Sequence, residues 1–184
     1  MRRTCNIPYN CPVVIVMVSE QQFETLVKAM SPELYRYAVG LCRNHDQAQD
    51  LVQETFLRAW RAQNDLRSAN AARAWLYKIL RNEHARLYER QRPEVRDPQL
   101  LPAIPHRGYD TSTEAFALRR ALCQLDLAYR EPLLLQVIGG FSCREIGGML
   151  GLKVNTVLTR LFRARQTLRQ HLEPADTEAA AGEP

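Results

Sequence analysis

The chain declares its architecture at Phe141-Ser142-Cys143-Arg144-Glu145-Ile146-Gly147-Gly148-Met149-Leu150-Gly151. Ser142 and Glu145 have the spacing of a capping box, in which a hydroxyl and a carboxylate satisfy the free amides at a helix start. Gly151, lacking a Cβ, can adopt the left-handed conformation that ends a helix. Helical periodicity then resumes and runs to Leu172. Short helix, glycine turn and longer helix together predict a helix-turn-helix. The longer helix sorts by face. Val157, Leu161, Ala164 and Leu168 fall on one side, and Asn155, Thr156, Thr159, Arg160 and Arg163 on the other. Arg can donate to guanine, Asn can pair with adenine, and Thr can meet base or phosphate, so the polar side suits a major groove. From Ile146 to Leu172 there is no acid, while Lys153, Arg160, Arg163, Arg165 and Arg169 supply five positive charges. A merely solvated basic face would account for the charge, but not for the capping box and glycine turn before it.

Working outward, apolar periodicity predicts helices over 112–125, 128–138, 142–150 and 153–172. Upstream, Pro93, Pro98, Pro102, Pro105 and Gly108 crowd a stretch without periodicity, so residues 93–111 read as an extended linker. Before the linker almost everything reads as helix. Leu26, Val27 and Met30, then Leu34, Ala38 and Leu41, recur at helical steps, with Ser31-Pro32 expected to separate them as N-cap and first turn. A helix over 46–62 should bury Leu51, Val52, Thr55, Phe56, Ala59 and Trp60. Asn70 can cap a third helix over 71–91, with Trp75, Leu76, Ile79, Leu80 and Leu87 as its apolar positions. The expected fold class is all-α: two small helical domains, 17–92 and 112–172, joined by a Pro-rich linker, with a C-terminal helix-turn-helix. Residues 173–184, with four acids and no base, read as a flexible acidic tail.

The sequence has 184 residues, with 25 Lys+Arg against 20 Asp+Glu, a net charge of +5. A basic excess favours a polyanionic partner. The longest apolar run, Pro12 to Val18, is too short to span a membrane, so no membrane insertion is expected. Five cysteines form no CxxC pair, and Cys42 with His45 makes only two ligands, so neither a metal site nor a disulfide framework is expected. Such cysteine usage fits a reducing, cytoplasmic setting. Arg2-Arg3 before Val13-Val14-Ile15-Val16 mimics a secretory leader, but no small-residue cleavage site follows. Translation from Met17 is the expectation, with residues 1–16 extraneous or disordered.

Two surfaces of the N-terminal part remain. Asp50, Gln53, Glu54, Leu57, Arg58 and Arg61 make a mixed-charge face with an apolar residue at its centre, which hints at a protein contact. Arg73, Lys78, Arg81, Arg86, Arg90 and Arg92 interleave with Trp75, Tyr77 and Tyr88. Basic charge beside aromatic rings suits single-stranded DNA, although Trp75 itself fits better as core.

Asp50-Leu-Val-Gln-Glu-Thr-Phe-Leu-Arg-Ala-Trp60 and Ala74-Trp-Leu-Tyr-Lys-Ile-Leu-Arg-Asn82 resemble domain two of bacterial extracytoplasmic-function sigma factors. Tyr129-Arg-Glu-Pro-Leu-Leu-Leu135, Phe141-Ser-Cys-Arg-Glu-Ile146 and Thr156-Val-Leu-Thr-Arg-Leu-Phe-Arg-Ala-Arg165 resemble domain four. The resemblance spans roughly residues 20–172 and implies a promoter-reading subunit of RNA polymerase, not an enzyme, needing no cofactor. By that resemblance Asp50, Gln53, Glu54, Leu57 and Arg58 would dock on the clamp helices of the beta-prime subunit. The loop over 66–72 would capture a flipped base of the −10 element. Asn70, Arg73, Trp75, Lys78, Arg81, Asn82 and Arg86 would hold −10 DNA as melted strand and adjacent duplex. Arg144, Lys153, Asn155, Thr156, Thr159, Arg160 and Arg163 would read the −35 element. The beta flap and an anti-sigma factor are further implied partners. Three features depart from the family: Asn155 stands where Gly is usual, Thr159 where Ser is usual, and Gly147-Gly148 where Ala and a larger residue are usual. Each mid-helix Gly costs ~1 kcal/mol relative to Ala, so a less stable helix is expected there.

Two rival readings stand beside this one. A helix-turn-helix regulator binding duplex DNA without polymerase explains 142–165 but neither N-terminal surface. A nuclease would use Asp46, Asp50 and Glu54 as metal carboxylates, yet no further ligand converges on them in sequence and Arg58 offers Glu54 a simpler partner.

Overall fold

Ser19 opens helix α1 (Glu20–Cys42) with a capping box: its hydroxyl accepts from the Gln22 amide and its own amide donates to the Gln22 side chain. The computed structural model describes residues 19–63, 66, 68, 71–90 and 112–172, and within them finds seven helices and no strand. The Ser31-Pro32 pair does not break the first helix. α1 runs straight through Pro32. Proline there forfeits one backbone bond, but its ring faces solvent while Leu34, Tyr37, Ala38 and Leu41 bury the other side. Tertiary burial outweighs the local signal.

Arg43 ends α1 in the left-handed conformation (φ 57°), and Asn44 caps α2 (His45–Arg61) by accepting from the Gln47 amide at 3.0 Å. Ala48, Leu51, Val52, Thr55 and Ala59 are the buried positions of α2. Two members of the expected stripe are not: Phe56 is half-buried and Trp60 is 40% exposed. Both line an open groove between α1 and α2, where Trp60 meets Phe23 of α1 edge-on with ring centroids 5.0 Å apart. Helix α3 (Ala72–Arg90) buries Leu76, Tyr77 and Leu80 against both. Then follow α4 (Thr113–Gln124), α5 (Leu127–Val137), α6 (Cys143–Leu150) and α7 (Val154–Leu172), each but the last with a side-chain cap, from Ser112, Asp126 and Ser142. From α2 onward every helix boundary lies within one residue of the sequence expectation. Residues 1–16, the linker 93–111, Asn70 and the tail 173–184 lie outside the described residues.

α1 also packs on α5, so the N- and C-terminal halves share one core. Tyr37 and Tyr77 meet with ring centroids 4.8 Å apart, and Tyr77 meets Phe141 edge-on at 5.0 Å. Gly40 permits this approach: a Cβ there would lie 2.7 Å from Leu134 Cδ1. Arg130 of α5, buried, donates to the carbonyls of Leu125 and Leu41 at 3.0 and 3.1 Å, and Arg43 donates to the same Leu125 carbonyl at 2.9 Å. A cation on the last carbonyls of α1 complements the negative end of that helix.

Candidate nucleic-acid interface

The capping box that the sequence predicts at α6 is present. Ser142 Oγ accepts from the Glu145 amide at 3.3 Å, while the Ser142 amide and hydroxyl donate to Glu145 Oε2 at 2.9 and 2.7 Å. These bonds to the ionised form hold the Glu145 carboxyl below its usual range. Gly151 takes φ 67°, and the Leu152 amide donates to the Gly147 carbonyl at 2.9 Å. That tight turn brings Leu152 O to 2.8 Å from where a Gly147 Cβ would stand, whereas Gly148 faces open space. The two glycines that looked equally costly in sequence therefore differ. The first is required by the turn.

Val157, Leu161 and Ala164 bury the inner side of α7, as expected, and Leu168 is half-buried. Asn155, Thr159 and Arg163 are exposed on the outer side, Thr156 and Arg160 are partly covered, and Lys153 and Arg144 are exposed at its edges. Arg160 and Arg163 are pre-set by α5. Pro132 lacks the amide that would bond the Ala128 carbonyl, and Arg160 Nη1 lies 3.5 Å from that oxygen. Arg163 Nη1 donates to Tyr129 Oη at 3.4 Å. Between them lies a cleft of about 270 Å³ lined by Ala128, Tyr129, Thr156, Thr159, Arg160 and Arg163. Both arginines rest on neutral acceptors at long distances, and among the described residues neither has a carboxylate partner. An incoming phosphate or base edge meets no competing anion there.

On α3 the structure splits the predicted −10 set into two. Trp75, Lys78, Asn82 and Arg86 recur at three- and four-residue steps and share one side. Lys78, Asn82 and Arg86 are exposed, and Trp75 is half-buried against the core, so it serves as core and keeps an open edge. Arg73 and Arg81 share another side with Tyr77; Arg81 is turned toward the C-terminal half, whereas Arg73 is exposed and bonded within the N-terminal half. Arg73 donates to Glu33 Oε1 through Nε at 2.9 Å and Nη2 at 2.7 Å, and Tyr77 donates to the same oxygen at 2.7 Å. Arg81 pairs with Glu131 at 2.8 Å.

Asp50, Gln53 and Leu57 are exposed on α2, Leu57 at 51%, with Glu54 and Arg58 partly covered beside them. Arg58 joins Glu54 at 2.8 Å, the pair expected from sequence, and also Glu83 of α3 at 2.8 Å. Glu83, only 7% exposed, binds Arg86 as well, at 2.9 Å. It therefore ties the α2 face to the α3 face, a role no helical period could reveal. Beside Leu57 a groove of about 1210 Å³ opens between α1 and α2, lined in part by Phe23, Val27, Val52, Phe56 and Trp60. Among the described residues no group of three His, Cys, Asp or Glu gathers to hold a metal, and no helix is long and apolar enough to cross a membrane.

These elements define a helical protein with two separate basic surfaces, one of them a helix-turn-helix, beside an uncovered apolar groove. Comparison with known proteins refines that class. A profile described as Sigma-70 region 2 matches residues 26–94, and one described as Sigma-70, region 4 matches residues 115–168. The chain is 35% identical to the ECF RNA polymerase sigma factor EcfG of Rhodopseudomonas palustris over 77% of this chain and 80% of that one. It is 33% identical to the ECF RNA polymerase sigma factor SigE of Mycolicibacterium smegmatis over 86% of this chain, and spans 64% of that longer protein. Among solved structures it resembles the sigma factor RpoE in complex with the anti-sigma factor NepR from Bartonella quintana, with TM-score 0.73, 29% identity, 84% of this chain and 99% of that one. It also resembles CnrH in complex with the cytosolic domain of CnrY, with TM-score 0.62, 30% identity and coverage of 84% and 89%. The chain belongs to the extracytoplasmic-function family of RNA polymerase sigma factors.

Proposed function

We propose that this chain is an alternative sigma factor that binds core RNA polymerase, reads −35 and −10 promoter elements and promotes DNA melting. The observation that carries this is the pairing of two basic surfaces, on α7 and α3, with an exposed apolar groove and Leu57 between α1 and α2. The α7 side, with Arg144, Lys153, Asn155, Thr156, Thr159, Arg160 and Arg163, enters the major groove of the −35 element. The cleft over Tyr129 receives a phosphate or a base edge between the two arginines. Trp75, Lys78, Asn82 and Arg86, with Arg73 and Arg81, hold the melted −10 strand, and the loop containing Asn70 takes the flipped base. Flipping costs a few kcal/mol, which stacking and hydrogen bonds in the loop must offset. Asp50, Gln53, Glu54, Leu57 and Arg58 dock on the beta-prime clamp helices, and the beta flap meets residues 112–172. An anti-sigma factor competes for these surfaces, as the co-crystallised relatives suggest. The protein works in the cytoplasm and lends specificity to the polymerase's chemistry without catalysing a reaction itself.

Pull-down with core RNA polymerase tests this reading. Wild type should be retained, and Asp50→Arg or Glu54→Lys should lose most of that retention while still binding duplex DNA. A chain that binds duplex DNA but never core polymerase would instead be a free-standing helix-turn-helix regulator.

A further inference from the structure

One arginine hydrogen is contested between the two faces of the N-terminal half. Arg58 of α2 donates through Nε to Glu54 Oε1 at 2.8 Å, and Glu83 Oε2 of α3 stands at the same 2.8 Å from that nitrogen. An arginine Nε carries a single hydrogen, so the two carboxylates compete for it. The other oxygen of Glu83, Oε1, accepts from Arg86 Nη1 at 2.9 Å. Glu54, Arg58, Glu83 and Arg86 thus form a row of alternating charge. The row is covered at Glu83 and open at its ends: side-chain exposure is 9% at Glu83, against 41% at Glu54 and 53% at Arg86. Ordinary helix pairing at four and three residues accounts for Glu54 with Arg58 and for Glu83 with Arg86. It does not account for Arg58 with Glu83, the contact that crosses from α2 to α3 and joins the two pairs. A carboxylate as covered as Glu83 must keep a cation beside it, because water reaches it too poorly to replace one.

We propose that Glu83 is a positioning residue that couples polymerase docking at Glu54 to −10 strand binding at Arg86. The inference rests on the sigma-factor reading and deepens it. When a phosphate takes Arg86, Glu83 stays balanced by drawing the Arg58 hydrogen fully to itself. Glu54 then loses its partner and presents a free carboxylate to a basic group on the polymerase. The row also runs in reverse. A polymerase cation that takes Glu54 turns Arg58 onto Glu83, and Arg86 is released to the phosphate. Binding at either end therefore favours binding at the other, and by linkage the two effects are equal in size.

The full chain, fluorescently labelled, is titrated with core RNA polymerase, with and without a saturating single-stranded oligonucleotide carrying a −10 sequence. In the wild type the oligonucleotide should tighten core binding by a factor that Glu83→Gln lowers about fivefold, the low end of ordinary coupling between sites. Glutamine keeps the size of the side chain, and it leaves Arg58 on Glu54 and Arg86 in solvent, so no buried charge is stranded. Circular dichroism should therefore show native helicity. Two exposed positions of α3, where substitution leaves the fold intact, complete the test. Arg86→Gln removes the open end of the row and should lower the factor as Glu83→Gln does. Lys78 shares that side of α3 and has no carboxylate partner among the described residues. Lys78→Gln should weaken oligonucleotide binding and leave the factor at its wild-type value. A Glu83 that merely supports the fold would weaken both bindings on substitution and leave the factor unchanged, which overturns the proposal. A factor that falls equally in Lys78→Gln and Arg86→Gln overturns it too. In either case retained core-polymerase binding leaves the sigma-factor reading standing. A wild type that never binds core polymerase overturns both.

Discussion

His84 of α3 has its imidazole pushed down to about 4, first by burial and then by the neighbouring charges of Arg130 and Arg81. Burial also pushes the Cys42 thiol up to about 12, with Arg130 pulling the other way, so Cys42 stays protonated at neutral pH. The same packing thus keeps both groups uncharged. For His84 the linkage has a definite sign. The folded chain refuses a proton that the unfolded chain binds below 6.5, so its contribution is present above that pH and is lost as pH falls toward 4. The melting temperature should drop over that window, and His84→Gln should flatten the slope. Thermal unfolding followed by circular dichroism between pH 4 and 7 reads this directly. A slope unchanged by the substitution would mean that carboxylates alone set the acid limit.

At the scale of single helices, the two glycines of α6 give opposite expectations. Gly148→Ala should stabilise the chain by about 1 kcal/mol, because the site is open and helical. Gly147→Ala should destabilise it, because its Cβ would press on the Leu152 carbonyl at 2.8 Å, a backbone atom that cannot rotate away. Urea titration of both variants checks the pair, and equal shifts of the same sign would contradict the turn geometry. This is also the scale at which the sequence was most legible. Capping box, glycine turn and facial sorting of α7 are local features, encoded within four residues of each other, and the structure reproduces them. The break expected at Pro32 failed because a local proline penalty competes with five buried side chains beyond it. Trp60 failed because periodicity tells which side of a helix is apolar, not how far its neighbour reaches across. Glu33, Glu83 and Glu131 were missed as organising groups. Glu33 and Glu131 meet their arginines across 40 and 50 positions of sequence. Such pairings are fixed by tertiary packing, and no pattern within one helix contains them.

For the molecule as a whole, the net charge of +5 averages unlike parts. Residues 67–92 hold seven basic groups against two acids, and residues 146–172 hold five against none. Each stretch alone equals the total, and the rest of the chain is neutral to acidic. Separate basic surfaces on two halves allow two stretches of DNA to be held at once, provided the halves can part. Run-off transcription by core RNA polymerase on a library of promoter fragments tests this central claim most directly. With the chain added, a discrete subset of fragments sharing spaced −35 and −10 sequences should yield transcripts. Asp50→Arg should abolish them, and Arg160→Ala should weaken them with loss of −35 preference. Transcription no higher than with core polymerase alone, on every fragment, would contradict the account.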